Sequence, residues 1–208
     1  MGNVRSLINT PPGKGFHPPR GIVFGGHAMQ LNIYRACNKR KIENLKWLLT
    51  VFFFWMDNRN MTGSMLETNL KKTGRLIHDL LEAIPIDLLR DVVIFGSAAI
   101  SLHGIDLKRK IDDLDLFVSQ DSFDQLKRHP ELLERKKHGA THLTMKDRYK
   151  IELWASFAGV DYESVKKHAR PTDGSSQMAV ADLVDLRQWK KTQGREKDIA
   201  DLQCMGSE

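Results

Sequence analysis

The stretch that decides the fold is VVIFGSAAISLHGIDLKRKIDDLDLFVSQ, residues 92–120. It opens on a β-branched and aromatic run, Val92 to Phe95, bounded by charge and by glycine, which predicts a short strand. An alanine-rich segment follows and predicts a helix, with Ser97 near its start and Gly104 as its stop. After the linker IDLKRK a second apolar run carries Asp112, Asp113 and Asp115. Side chains on a strand alternate, so Asp113 and Asp115 face the same way with roughly 6–7 Å between their Cα atoms, while Asp112 points away. Two carboxylates on one face repel each other and are costly in a core. They become reasonable if a divalent cation lies between them, and an oxygen-rich site suits Mg²⁺ or Mn²⁺.

Gly96 and Ser97 admit two readings. One is a plain helix cap, since Gly-Ser before a helix is common. In the other, a glycine tolerant of unusual dihedrals and a helix start present unpaired backbone N–H groups to an anion. A third carboxylate, Glu152, stands in the run YKIELWAS, residues 149–156. On a central strand it would complete a metal site and draw a proton from an attacking hydroxyl; on an edge strand it would simply be solvated.

Outward from this stretch, residues 65–84 place Leu70, Ile77, Leu80 and Leu81 on one stripe and stop before Pro85, which predicts a helix with His78 on it. Residues 120–139 read as helix broken near Pro130. THLTMKDRYKIELWAS, residues 141–156, reads as a hairpin with KDR between its strands. Residues 175–193 and 195–205 read as two further helices. The order of elements predicts a small α/β (α+β) domain over 65–208, a short mixed sheet packed with helices.

Residues 1–64 form a separate, basic N-terminal extension. Residues 1–60 hold nine Lys or Arg against two acids, whereas 61–208 hold 23 against 24, so the net charge of +6 belongs to the first third. A basic segment can steer a polyanion, and it can equally serve solubility. The apolar run WLLTVFFFWM, residues 47–56, is too short for a bilayer, which takes about 20 apolar residues, and starts too late for a signal peptide. Cys37 and Cys204 stand far apart without a CxxC pair, which fits a reducing compartment; the expected location is cytoplasmic, with no membrane association.

The pattern of apolar strand, Gly-Ser, helix, and strand with alternating acids resembles the nucleotidyltransferase superfamily, the polymerase-β-like fold. In finer detail, AISLHG and GREKDIADL resemble segments of the small prokaryotic nucleotidyltransferases of the AbiEii-type toxins. The resemblance covers roughly residues 75–203, and the fifteen residues between Ser97 and Asp113 are more than compact members of the superfamily have. It implies that Gly96 and Ser97 hold the triphosphate of a nucleotide such as ATP. It further implies that Asp113 and Asp115 bind magnesium and that Glu152 fills the third acidic and metal-binding position. Lys190 would contact phosphate and Asp198 would support the site, with Arg195 and Lys197 open between such roles and surface ion pairs.

The implied activity is Mg-dependent transfer of a nucleoside monophosphate from a triphosphate to an acceptor hydroxyl on RNA such as tRNA, on protein or on a small molecule. An antitoxin is the implied partner. Competing readings are an inactive nucleotide-binding module on the same fold, a nucleic-acid-binding protein driven by residues 1–60, and a metal-dependent phosphohydrolase. The last ranks lower because the histidines form no HxH or HExxH motif.

Overall fold

The structure is a computed structural model and describes residues 64–147, 150–172 and 178–206. The expectations for residues 1–63, including the basic segment and the run 47–56, lie outside the described residues. Helix α1, Met65–Ala83, starts where Ser64 accepts a hydrogen bond from the Glu67 N–H at 3.1 Å. It buries Leu70, Leu76, Ile77 and Leu80, with Leu81 packed alongside. Strand β1, Val92–Phe95, is buried at all four positions, as a strand covered on both faces must be. Helix α2, Gly96–Leu102, follows without a connecting residue. His103 caps its end and contacts the Ala181 carbonyl through Nε2 at 2.8 Å.

Strand β2, Leu114–Phe117, pairs antiparallel with β1, and β5, Ile151–Trp154, pairs parallel with β2. Strand β4, Ala140–Met145, lies antiparallel to β5 in the hairpin expected there. One seven-stranded mixed sheet results, ordered β3-β4-β5-β2-β1-β9-β8. Strand β3 is Leu132–Lys137, β8 is Arg170–Pro171 and β9 is Met178–Val180. A two-stranded ribbon, β6 Ser156–Phe157 with β7 Val160–Asp161, stands apart from it. Helices α3, Gln120–Leu126, and α4, Tyr162–Lys166, precede the closing pair α5, Leu183–Gln193, and α6, Glu196–Cys204. The fold class is the mixed α/β sheet with packed helices that the element order predicts.

Two local expectations are corrected. Residues 120–139 are not a broken helix: only Gln120–Leu126 is helical, and Leu132–Lys137 is an edge strand paired over six positions with β4. Its charged outer residues suit an exposed edge, and pairing outweighs their weak strand preference. Residues 175–193 are likewise not one helix. Met178–Val180 adds to the sheet parallel to β1, and the helix begins only where the Asp182 side chain accepts from the Val184 N–H at 2.9 Å. Three apolar residues fit either structure by periodicity, and a partner strand decides.

Candidate active site

The register of the central strands assembles the acids. Phe95 at the end of β1 pairs with Asp115, and Asp115 pairs on its other side with Glu152. Adjacent strands lie ~4.8 Å apart, so the two acids are neighbours across the sheet. Asp113 precedes β2 by one residue and lines the same narrow cleft as Asp115 and Glu152. Aromatic side chains of Phe95, Phe117, Trp154 and Trp189 wall it, and Lys137, Arg195 and Lys197 bring positive charge to it. Asp112 also precedes β2; it is exposed, lies 3.6 Å from Lys72 and does not line the cleft.

Gly96 explains itself at this point. Its φ is +66°, and a Cβ there would sit 2.6 Å from Asp115 Oδ2. Only a residue without a side chain allows the turn from β1 into α2 to pass so close to the carboxylate.

Neither Asp113 nor Asp115 forms an ion pair with any described residue. Burial pushes the Asp115 carboxyl up to about 7, helped by the charges of Asp113 and Glu152 and opposed by Lys137 and Lys197. Three acids and three cations line the cleft, but Lys137 is taken up by Glu152 and Arg195 by Asp198, so Asp113 and Asp115 have no direct cationic partner among the described residues. Carboxylates gathered in one cleft offer the hard oxygen ligands that suit a hard divalent cation. Glu152 differs: both its oxygens lie 2.8 Å from Lys137 Nζ.

The remaining candidates lie together in a buried ionic network beside the cleft. Ser97 Oγ donates to Asp201 Oδ2 at 3.0 Å and accepts from Arg109 Nη2 at 2.6 Å, so its single proton is committed to Asp201. Arg109 also grips Asp201 through Nε at 2.8 Å and Nη2 at 2.6 Å. Lys190 is 1% exposed, with its ammonium on Asp198 at 3.0 Å and Asp201 at 2.7 Å. Arg195 closes the chain on Asp198 at 2.6 Å. Burial works against ionising Asp198 and Asp201, yet their cationic partners hold both carboxyls below the usual range. Lys190 and Asp198 thus brace α5 against α6, while Ser97 and Arg109 tie the start of α2 and the β2 linker to α6.

Sequence reasoning passed over several of these residues. Lys137, Arg109 and Asp201 were visible only as ordinary charges, since their partners lie 15, 92 and 104 positions away. Asn69 is another: its side chain donates to the Arg109 carbonyl at 2.9 Å and accepts from the Ile111 N–H at 3.0 Å, fixing the linker that delivers Asp113. One further cluster, His78, Asp79 and Glu82, lies on the partly exposed face of α1 and outside the cleft lining.

No protein-family model matches this sequence, and a search of curated proteins finds no match. Among solved structures, the chain is similar to a Thermotoga maritima protein described as a "putative nucleotidyltransferase". The likeness has 16% identity and a TM-score of 0.42, and covers 69% of this chain and 96% of that one. Among the described residues, no helix is long and apolar enough to cross a membrane.

Proposed function

We propose that the protein is a metal-dependent nucleotidyltransferase that moves a nucleoside monophosphate from a triphosphate to an acceptor hydroxyl. The observation that carries this reading is the convergence of Asp113 and Asp115, without cationic partners, beside Glu152 and directly against Gly96. Asp113 and Asp115 are the proposed holders of Mg²⁺ or Mn²⁺. A divalent ion so held supplies charge stabilisation at a phosphoryl group and a template for in-line displacement.

The chain's own groups do the rest. Gly96 lets the β1–α2 turn approach the acids, and the backbone at Gly96 and Ser97 is the proposed seat of the triphosphate. Lys197 lines the cleft without an ion-pair partner among the described residues, which suits contact with phosphate oxygens. Lys190, which the resemblance assigns to phosphate, is proposed instead to act through the network that sets the α5–α6 corner, as is Asp198. The aromatic walls exclude water from one side of the cleft and strengthen the electrostatics inside it.

RNA, a protein hydroxyl and a small molecule are the acceptor classes, and an AbiEii-like toxin role with an antitoxin partner belongs to the same proposal. The test is pyrophosphate release with Mg²⁺ and each of the four nucleoside triphosphates, in the presence and absence of total RNA. Turnover is expected to fall by about 10³-fold or more in Asp115→Asn, several kcal/mol of lost charge stabilisation. Nucleotide binding without turnover in the wild type would instead make the protein a binding module.

A further inference from the structure

Lys137 is the unexpected member of the cleft. It is the last residue of β3, and the hairpin turns back immediately through His138 and Gly139, with φ of +51° and +80°. Two consecutive left-handed residues in a two-residue loop are the signature of a type I′ turn, the tightest and stiffest hairpin connection. The turn pairs Lys137 with Ala140 and fixes where its side chain departs. The ammonium then meets both oxygens of Glu152 at 2.8 Å, with the Trp154 ring centroid 5.9 Å away on another side. Trp154 is itself held by stacking on His142 at 4.4 Å.

We infer, resting on the metal-dependent reading above, that Lys137 is a tethered cation in the place of a second metal ion. Glu152 is then a positioning residue held by Lys137 rather than a metal ligand, and the protein itself binds one divalent cation, on Asp113 and Asp115. Charge supports the count. The three carboxylates carry −3 when ionised, and Lys137 with one divalent ion already returns +3, before Lys197 on the same cleft wall is counted. A second protein-bound ion would add a further +2 to a partly buried site whose carboxylates are already balanced, and it would have to displace an ammonium that already satisfies both oxygens of Glu152. Any further ion would arrive on the phosphates of the nucleotide.

The experiment counts Mn²⁺ bound to the full chain without nucleotide, by electron paramagnetic resonance of the free ion during titration. Wild type is expected to bind one ion per chain. Glu152→Gln is expected to keep that ion with affinity within about threefold, whereas Asp115→Asn loses about 100-fold or more, the upper end of what even outer-shell changes cost. Lys137→Met uncovers Glu152 and is expected to bind a second ion, which disappears again in Lys137→Met/Glu152→Gln. Two ions on the wild type, or a loss in Glu152→Gln equal to that in Asp115→Asn, overturns the inference while leaving the metal-dependent reading standing. Mn²⁺ that binds wild type and Asp115→Asn alike, or neither, overturns both. The Glu152→Gln comparison stands even if Lys137→Met fails to fold.

Discussion

Replacing Lys190 with Met separates the two roles open to that residue. In the structure its ammonium is 1% exposed and neutralises two carboxylates that are wholly buried, Asp198 and Asp201. Removing one member of a buried ionic group strands charge without solvent and costs about 3–5 kcal/mol. Asp198 keeps Arg195 and Asp201 keeps Arg109, so the lower end, about 3 kcal/mol, is the expected loss. For a domain of this size each kcal/mol moves Tm by about 2–4 °C, giving a drop of about 6–12 °C by calorimetry or circular dichroism at pH 7. Adding Asp198→Asn should recover part of the loss, because the two residues are coupled through direct contact. A Tm within about 3 °C of wild type, together with a nucleoside triphosphate affinity reduced tenfold or more, would refute this reasoning and place Lys190 on the phosphates.

The other predictions concern the acids and the turn beside them. Gly96→Ala puts a Cβ 2.6 Å from Asp115 Oδ2 at a φ of +66°, so about 1–3 kcal/mol of destabilisation by urea unfolding is expected, with loss of divalent-ion binding. Because the Asp115 carboxyl is raised to about 7 in the folded chain, the folded state holds a proton that the unfolded state has released between pH ~4 and 7. Metal-free stability should therefore fall as pH rises through that window. Asp115→Asn should flatten the fall, with a gain at pH 8 of at least about 1 kcal/mol, one pKa unit's worth. Asp198 and Asp201 have the opposite sign: their depressed carboxyls give stability that is complete at neutral pH and lost as pH drops below ~4, measurable as an acid unfolding limb steeper than that of Asp201→Asn.

The heart of the fold was legible because its signals are local. Val92–Phe95 is apolar throughout, and the alternate spacing of Asp113 and Asp115 points to a shared face, although β2 itself begins only at Leu114. Glu152 could be proposed but not placed, since its neighbour in space, Asp115, is set by the β2–β5 register. The edge strand β3 was misread because Leu132–Lys137 is mostly charged and helix-compatible. Its one local cue was His138-Gly139, a pair able to take the two positive φ values of a tight hairpin. Strand β9 was swallowed by the helix after it, although Asp182 marked the true start. The ionic network was least legible of all. Lys190, Asp198 and Asp201 fall at helical spacings that mimic a solvated face, and only the packing of α5 on α6 shows them buried.

The fate of the nucleotide's phosphorus atoms tests nucleotidyl transfer most directly. Wild-type protein would be incubated with Mg²⁺, total RNA and protein, and a nucleoside triphosphate labelled at either the α or the γ position. Nucleotidyl transfer predicts α-label on an acceptor, γ-label in pyrophosphate, and neither product from Asp113→Asn or Asp115→Asn. Release of γ-label as orthophosphate with no α-label on any acceptor would contradict it.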